Sequence, residues 1–112
     1  MNIEDLQQFC LSLPEVEETL PFGPDTLVFK VQGKVFLLAG LDQSPVSFNV
    51  KCDPEKAIEL REAYPAVQPG YHMNKKHWNT VTADGSIPAS LLKEWIRESY
   101  ELVKPRAKKK KQ

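Results

Sequence analysis

The run from residue 26 to residue 40 reads Thr26-Leu27-Val28-Phe29-Lys30-Val31-Gln32-Gly33-Lys34-Val35-Phe36-Leu37-Leu38-Ala39-Gly40. Leu27, Phe29 and Val31 alternate with Val28 and Lys30, and Val35, Leu37 and Ala39 resume after Gln32-Gly33. A period of two on both sides of a glycine predicts a β-hairpin, because Gly33 supplies the positive φ that a tight turn between twisted strands requires. A third run, Val46, Phe48 and Val50 against Ser47, Asn49 and Lys51, predicts another strand with one buried and one wet face. The segment Asp42-Gln43-Ser44-Pro45 between them is a turn.

The period changes on either side of this block. Ile3, Leu6, Cys10 and Leu13 recur at helical spacing, Asn2 is placed to cap the helix, and Pro14 ends it. Glu15 to Pro24 is polar and then turn-rich, and is expected as a structured loop anchored by Phe22. Asp53-Pro54-Glu55 opens a helix that should run to about Tyr64, where Pro65 stops it. A loop at 67–70, a strand over 77–83, an Asp84-Gly85 turn and a helix from about Pro88 to Val103 complete the chain. The order implies an α+β fold: a mainly antiparallel sheet with helices, including both terminal ones, packed on one face.

The length of 112 residues, with 41% hydrophobic and 27% charged, fits one core. Residues 1–103 are expected as that single domain. The longest apolar stretch, Val35 to Leu41, is far shorter than the roughly 20 residues a membrane span needs. The acidic Met1–Asp5 start lacks a secretory pattern, so a cytoplasmic protein is predicted. The net charge of zero hides an asymmetry. Residues 1–103 hold nine Lys or Arg against fifteen Asp and Glu, whereas Lys104, Arg106 and Lys108 to Lys111 return six positive charges. Residues 104–112 read as a disordered basic tail, too poor in apolar surface to order.

Residues 69–81 read Pro69-Gly70-Tyr71-His72-Met73-Asn74-Lys75-Lys76-His77-Trp78-Asn79-Thr80-Val81 and gather two histidines, two lysines and two large aromatics. This run resembles the Pro-x-x-His-x-Asn-Lys-x-His-Trp segment of the bacterial MmcQ/YjbR family. The likeness extends through Pro21-Phe22-Gly23, Phe29-Lys30, Val46-Ser47-Phe48, Asp84-Gly85-Ser86-Ile87-Pro88 and Ser99-Tyr100, covering about residues 1–103. The resemblance implies a frataxin-like α+β fold and DNA binding through a double-wing motif.

No Gly-x-Ser-x-Gly elbow, Gly-x-x-x-x-Gly-Lys loop, Gly-x-Gly-x-x-Gly turn or Cys with a nearby His is present, so no enzyme and no cofactor is expected. Cys10 and Cys52 lack zinc or redox spacing, and Cys10 reads as a buried core thiol. His72 and His77 have no third ligand at a recognisable spacing, and the acids Glu4, Asp5, Glu15, Glu17 and Glu18 read as a solvated face rather than an ion site. No metal is therefore expected. The candidate DNA contacts are Lys30, Lys34, Lys75, Lys76 and His77 with Lys108, Lys109, Lys110 and Lys111, binding weakly and mainly to the phosphate backbone as a monomer. The alternative is a pocket for a small molecule or protein partner formed by Phe22, Tyr71, His72, Asn74, His77 and Trp78.

Overall fold

The computed structural model describes residues 1–21, 23–42, 44–70 and 73–104. Helix α1 (Ile3–Ser12) begins with a reciprocal cap. The Asn2 side chain accepts the Asp5 amide at 2.8 Å, and the Asp5 carboxylate accepts the Asn2 amide at 3.3 Å. There follow β1 (Val16–Thr19), β2 (Thr26–Val31), β3 (Lys34–Gly40) and β4 (Ser47–Lys51). After them come α2 (Pro54–Ala63), β5 (Val67–Pro69), β6 (Trp78–Thr82) and α3 (Ala89–Val103). Among the described residues, no helix is long and apolar enough to cross a membrane.

The hairpin, the third strand and all three helices form where the sequence predicts them. Gln32 and Gly33, at φ 50° and 82°, make the two-residue turn between β2 and β3. Two short strands differ from expectation. Val16–Thr19, expected within a loop, pairs with β2, and Glu15 at φ 63° turns the chain into it from α1. Val67–Pro69, also expected as loop, pairs with β6. Both are edge strands, where one partner suffices, charged side chains are tolerated and a proline costs no inner ladder bond. Neither therefore carries the alternation of an inner strand.

Among the described residues all pairings are antiparallel in one six-stranded sheet, ordered β1-β2-β3-β4-β6-β5. Opposed residues share a face. Leu27 with Ala39, Phe29 with Leu37, Leu37 with Val50 and Phe48 with Val81 mark the covered face, where Leu6 and Cys10 of α1 and Leu92, Trp95 and Ile96 of α3 complete the core. Helix α2 joins them through Ala57, whose carbonyl accepts Asn79 Nδ2 at 3.4 Å. The other face carries half-buried Leu38, Asn49 and Thr80 in one row.

A register shift between Phe29 and Lys30 places Phe36 as an extra residue in β3, and the β3–β4 ladder stops at Leu37 and Val50. Beyond that point the fully buried Ser99 hydroxyl accepts the Lys51 amide at 2.8 Å and donates to the Phe36 carbonyl at 2.6 Å. Next along α3, the Tyr100 ring meets Phe36 edge-on at 5.4 Å, and its hydroxyl donates to the Pro14 carbonyl at 2.6 Å.

Replacing Ser99 with Ala leaves the buried Phe36 carbonyl and the part-buried Lys51 amide without this bridge. The expected loss of stability in urea unfolding is about 1–3 kcal/mol, the cost of buried polar groups deprived of a partner. A change below about 0.5 kcal/mol would show that the bridge contributes little.

Candidate nucleic-acid interface

The ladder registers decide which lysines meet. Val31 opposes Lys34 at the β2–β3 turn, Leu37 opposes Val50 so that Lys51 continues toward the same end, and Lys51 opposes Trp78. Lys34, Lys51 and the 70–77 loop that carries Lys75 and Lys76 therefore share one end of the sheet. Asp25, Asp42 and Asp84 lie at the opposite end, next to the start of β2 and the ends of β3 and β6. Lys30 stands one residue before the β2–β3 turn, near the same end, but is half-buried and directly opposite Glu17 of β1.

Local hydrogen bonds shape the loop. The Asn74 carboxamide oxygen accepts the Lys76 amide at 2.9 Å, while its backbone carbonyl accepts the His77 and Trp78 amides at 3.1 and 2.9 Å. Such an Asx turn exposes Lys75 and Lys76 at its tip. Half-buried His77 extends the ladder beyond β4, its carbonyl accepting the Cys52 amide at 2.7 Å. Trp78 is only 9% exposed, so it anchors the loop rather than offering a stacking face. Gly70 makes this possible, because a Cβ there would stand 2.9 Å from Trp78 Cβ. Phe22, Tyr71, His72 and Lys108 to Lys111 lie outside the described residues.

A residue that the sequence left unmarked holds the loop. Arg61 of α2 donates from Nε to Asn79 Oδ1 at 2.7 Å, and from Nη2 to the Lys75 carbonyl and, at 3.3 Å, to the Trp78 carbonyl. Asn79 is 1% exposed, so the guanidinium completes a buried amide while gripping both ends of the Lys75–Trp78 turn. The weak apolar periodicity of α2 gave no reason to single out an arginine eighteen residues from its partner.

Both thiols are shielded, and three of the N-terminal acids are engaged. Burial pushes the Cys10 thiol up to about 12, and burial also raises Cys52, against the opposing pull of Lys56. Both thiols are protonated near neutrality. Of the N-terminal acids, Asp5 belongs to the α1 cap, Glu15 accepts Gln32 Nε2 at 2.5 Å, and Glu18 accepts Gln7 Nε2 at 2.8 Å. Among the described residues, no three His, Cys, Asp or Glu side chains converge as metal ligands.

One antiparallel sheet with three helices on a single face, and two lysine-bearing hairpin tips at one end, defines a small α+β domain. The chain belongs to the YjbR family, whose sequence profile matches residues 11–102. It is 42% identical over 100 residues to the uncharacterized Escherichia coli O157:H7 protein YbdF, covering 89% of this chain and 82% of YbdF. It is 32% identical over 101 residues to the uncharacterized protein YjbR of Escherichia coli K12, covering 90% and 86% of the two chains. The crystal structure of a Deinococcus radiodurans protein with a DUF419 domain superposes with a TM-score of 0.87 at 48% identity, covering 91% of this chain and 78% of that one. A Pseudomonas syringae protein superposes with a TM-score of 0.79 at 27% identity, over 91% and 98%.

Two outcomes follow from these contacts. Arg61→Met should cost about 1.5–3 kcal/mol in urea unfolding, the range for a hydrogen bond to a charged group, and Arg61→Lys should not restore it because one ammonium cannot replace the planar fork. Amide exchange at His77 and Trp78 should quicken beyond the global change; uniform quickening would mean that Arg61 supports the fold without holding the loop. The second outcome concerns pH. An acid whose folded pKa exceeds its unfolded value keeps its proton longer in the native state, so its contribution is complete below about 9 and is lost as pH rises toward about 12. The stability difference between wild type and Cys10→Ala should therefore shrink across that window, by at most about 1.4 kcal/mol per pH unit. A pH-independent difference would contradict a buried, protonated Cys10.

Proposed function

We propose that this protein is a cytoplasmic, non-enzymatic DNA-binding protein that docks weakly, as a monomer, on the phosphate backbone. The observation that carries this reading is the convergence of Lys34, Lys51, Lys75 and Lys76 at one end of the sheet, with Asp25, Asp42 and Asp84 held at the other. The β2–β3 and β5–β6 hairpin tips are three strand positions apart in the sheet order. That separation is about 14 Å at the usual strand spacing, comparable to the roughly 12 Å width of the DNA major groove. Two basic tips so spaced suit phosphates on either side of a groove, which fits the double-wing description.

Phosphate contacts supply affinity without sequence readout, and the six cations of residues 104–111 add to the four at the sheet end. Residues 1–103 are net acidic, so docking requires the polarised end to face the duplex. The alternative, a small-molecule or protein-partner site at residues 69–81, has less to draw on. Asn74 and Trp78 are engaged in holding the loop, and His77 contributes its backbone to the sheet.

Anisotropy titration of a labelled duplex tests the proposal. In low salt the full chain should bind with a dissociation constant in the micromolar range, and six tail cations alone predict a slope of log affinity against log salt near −5. Combining Lys34→Gln, Lys51→Gln and Lys76→Gln should weaken binding and reduce the slope's magnitude by up to about 3. Absence of binding by the full chain at about 50 µM in low salt would end the proposal. An unchanged slope in the triple variant would remove the sheet end from it.

A further inference from the structure

On the helix side, α2 and α3 enclose an open groove of about 440 Å³. Its apolar floor includes Cys52 and Leu102, the latter 51% exposed. Its walls are acidic: Asp53 from the start of α2, and Glu94, Glu98 and Glu101 along α3. Lys56 pairs directly with Glu98, to whose two oxygens its ammonium donates at 2.6 and 2.7 Å, and lies close enough to Glu94 to feel its charge. Arg97, the other cation on the lining, lies 5.5 Å over the Phe9 ring on the α1 side. Among the described residues, Glu94 and Glu101 have no cation at ion-pair distance, and Asp53 is engaged only with the Lys56 amide of its own helix.

We propose that this groove is the docking site for the chain's own lysine-rich segment, Arg106 and Lys108 to Lys111, folding back from the end of α3. Connectivity and charge support this occupant. Lys104 caps α3 in an extended conformation one turn beyond Glu101, so the chain leaves the helix at the mouth of the groove. From Glu94 to Glu101 the helix rises about 10 Å. The eight residues from 105 to 112 can span up to about 26 Å, more than the roughly 15 Å from Lys104 back to Glu94, so the segment is long enough to run along the α3 wall past Glu101 and Glu94. The groove lining sets four carboxylates against two cations, so five further cations meet a net acidic surface, and lysine stems can cover Leu102 and Cys52 while their ammonium groups meet the walls.

All these charges are near solvent, so the contact is salt-sensitive and in rapid exchange. Its consequence, which rests on the DNA-binding reading, is regulatory. The cations assigned to phosphate are held against the protein's own groove, and a nucleic acid must compete for them.

The docking is tested without nucleic acid, so its failure and the failure of DNA binding are distinguishable. In ¹⁵N-labelled full-length protein at low salt, neutralising the segment with Lys108→Gln, Lys109→Gln, Lys110→Gln and Lys111→Gln should move the amides of Cys52, Lys56, Glu98 and Leu102. Leu38, on the opposite sheet face, should stay in place. Glu94→Gln with Glu101→Gln, both exposed positions that leave the core intact, should lower the heteronuclear NOE of the Lys108–Lys111 amides about twofold. Raising salt from about 50 to about 500 mM should produce the same drop. Groove amides that ignore the lysine substitutions, or segment amides that ignore the groove substitutions, would overturn the proposal. Shifts that vanish on tenfold dilution would overturn it equally, since they would show one molecule's segment bound to another's groove.

Discussion

The Ser99 hydroxyl ties α3 to the backbones of both β3 and β4. The β3–β4 ladder stops at Leu37 and Val50, leaving the Phe36 carbonyl and the Lys51 amide without a partner in the neighbouring strand. Ser99 answers both, accepting from Lys51 and donating to Phe36. The helix is thereby fixed against the centre of the sheet at a defined height. That height brings Phe36 and Tyr100 together and lets Tyr100 reach the Pro14 carbonyl where the chain enters β1. A central polar tether of this kind confers uniqueness of packing that apolar contacts alone provide less sharply.

The same region sets the electrostatic character of the protein. Lys51 both supplies the amide that Ser99 accepts and opposes Trp78 at the base of the 70–77 loop, so the bulge, the bridge and the basic end of the sheet are one continuous piece of structure. Arg61 adds a second tether from α2, completing buried Asn79 and closing on the carbonyls of Lys75 and Trp78. A long loop tip is ordinarily the most mobile part of a small domain. Here the tip is held from inside by Asn74, from beneath by Trp78 on Gly70, and from the side by Arg61.

Charge is separated in two directions. Along the strands, lysines collect at the end where the β2–β3 and β5–β6 connections lie, while Asp25, Asp42 and Asp84 lie at the other and Asp53 and Glu15 stand at the lysine end. Across the helix layer, the α2–α3 groove gathers carboxylates beside the point where the most basic segment of the chain departs. A protein of zero formal net charge is thus strongly dipolar, which is the property that orients weak association with a charged partner.

Local pattern was enough to define most of the architecture. Alternation around Gly33, the Asn2 and Asp53 caps, and the prolines at 14, 65 and 88 delimit three helices and the inner strands, because these signals depend on neighbours three or four residues away. The motif at 69–81 marked the loop and its lysines. The edge strands β1 and β5 escaped notice because an edge strand needs neither alternation nor continuous apolar character, and Arg61 escaped because its partners lie fourteen to eighteen residues away. In the sequence Ser99 stands as one half of the Ser99-Tyr100 pair inside the last helix. Only tertiary packing, by placing a bulge across from it, turned that small hydroxyl into a bridge, and only strand register brought Lys34, Lys51 and the Lys75–Lys76 tip to one end. The sequence determined the elements through short-range capping and periodicity. The tertiary structure decided the site, since a charge cluster depends on distances that chain separation does not encode.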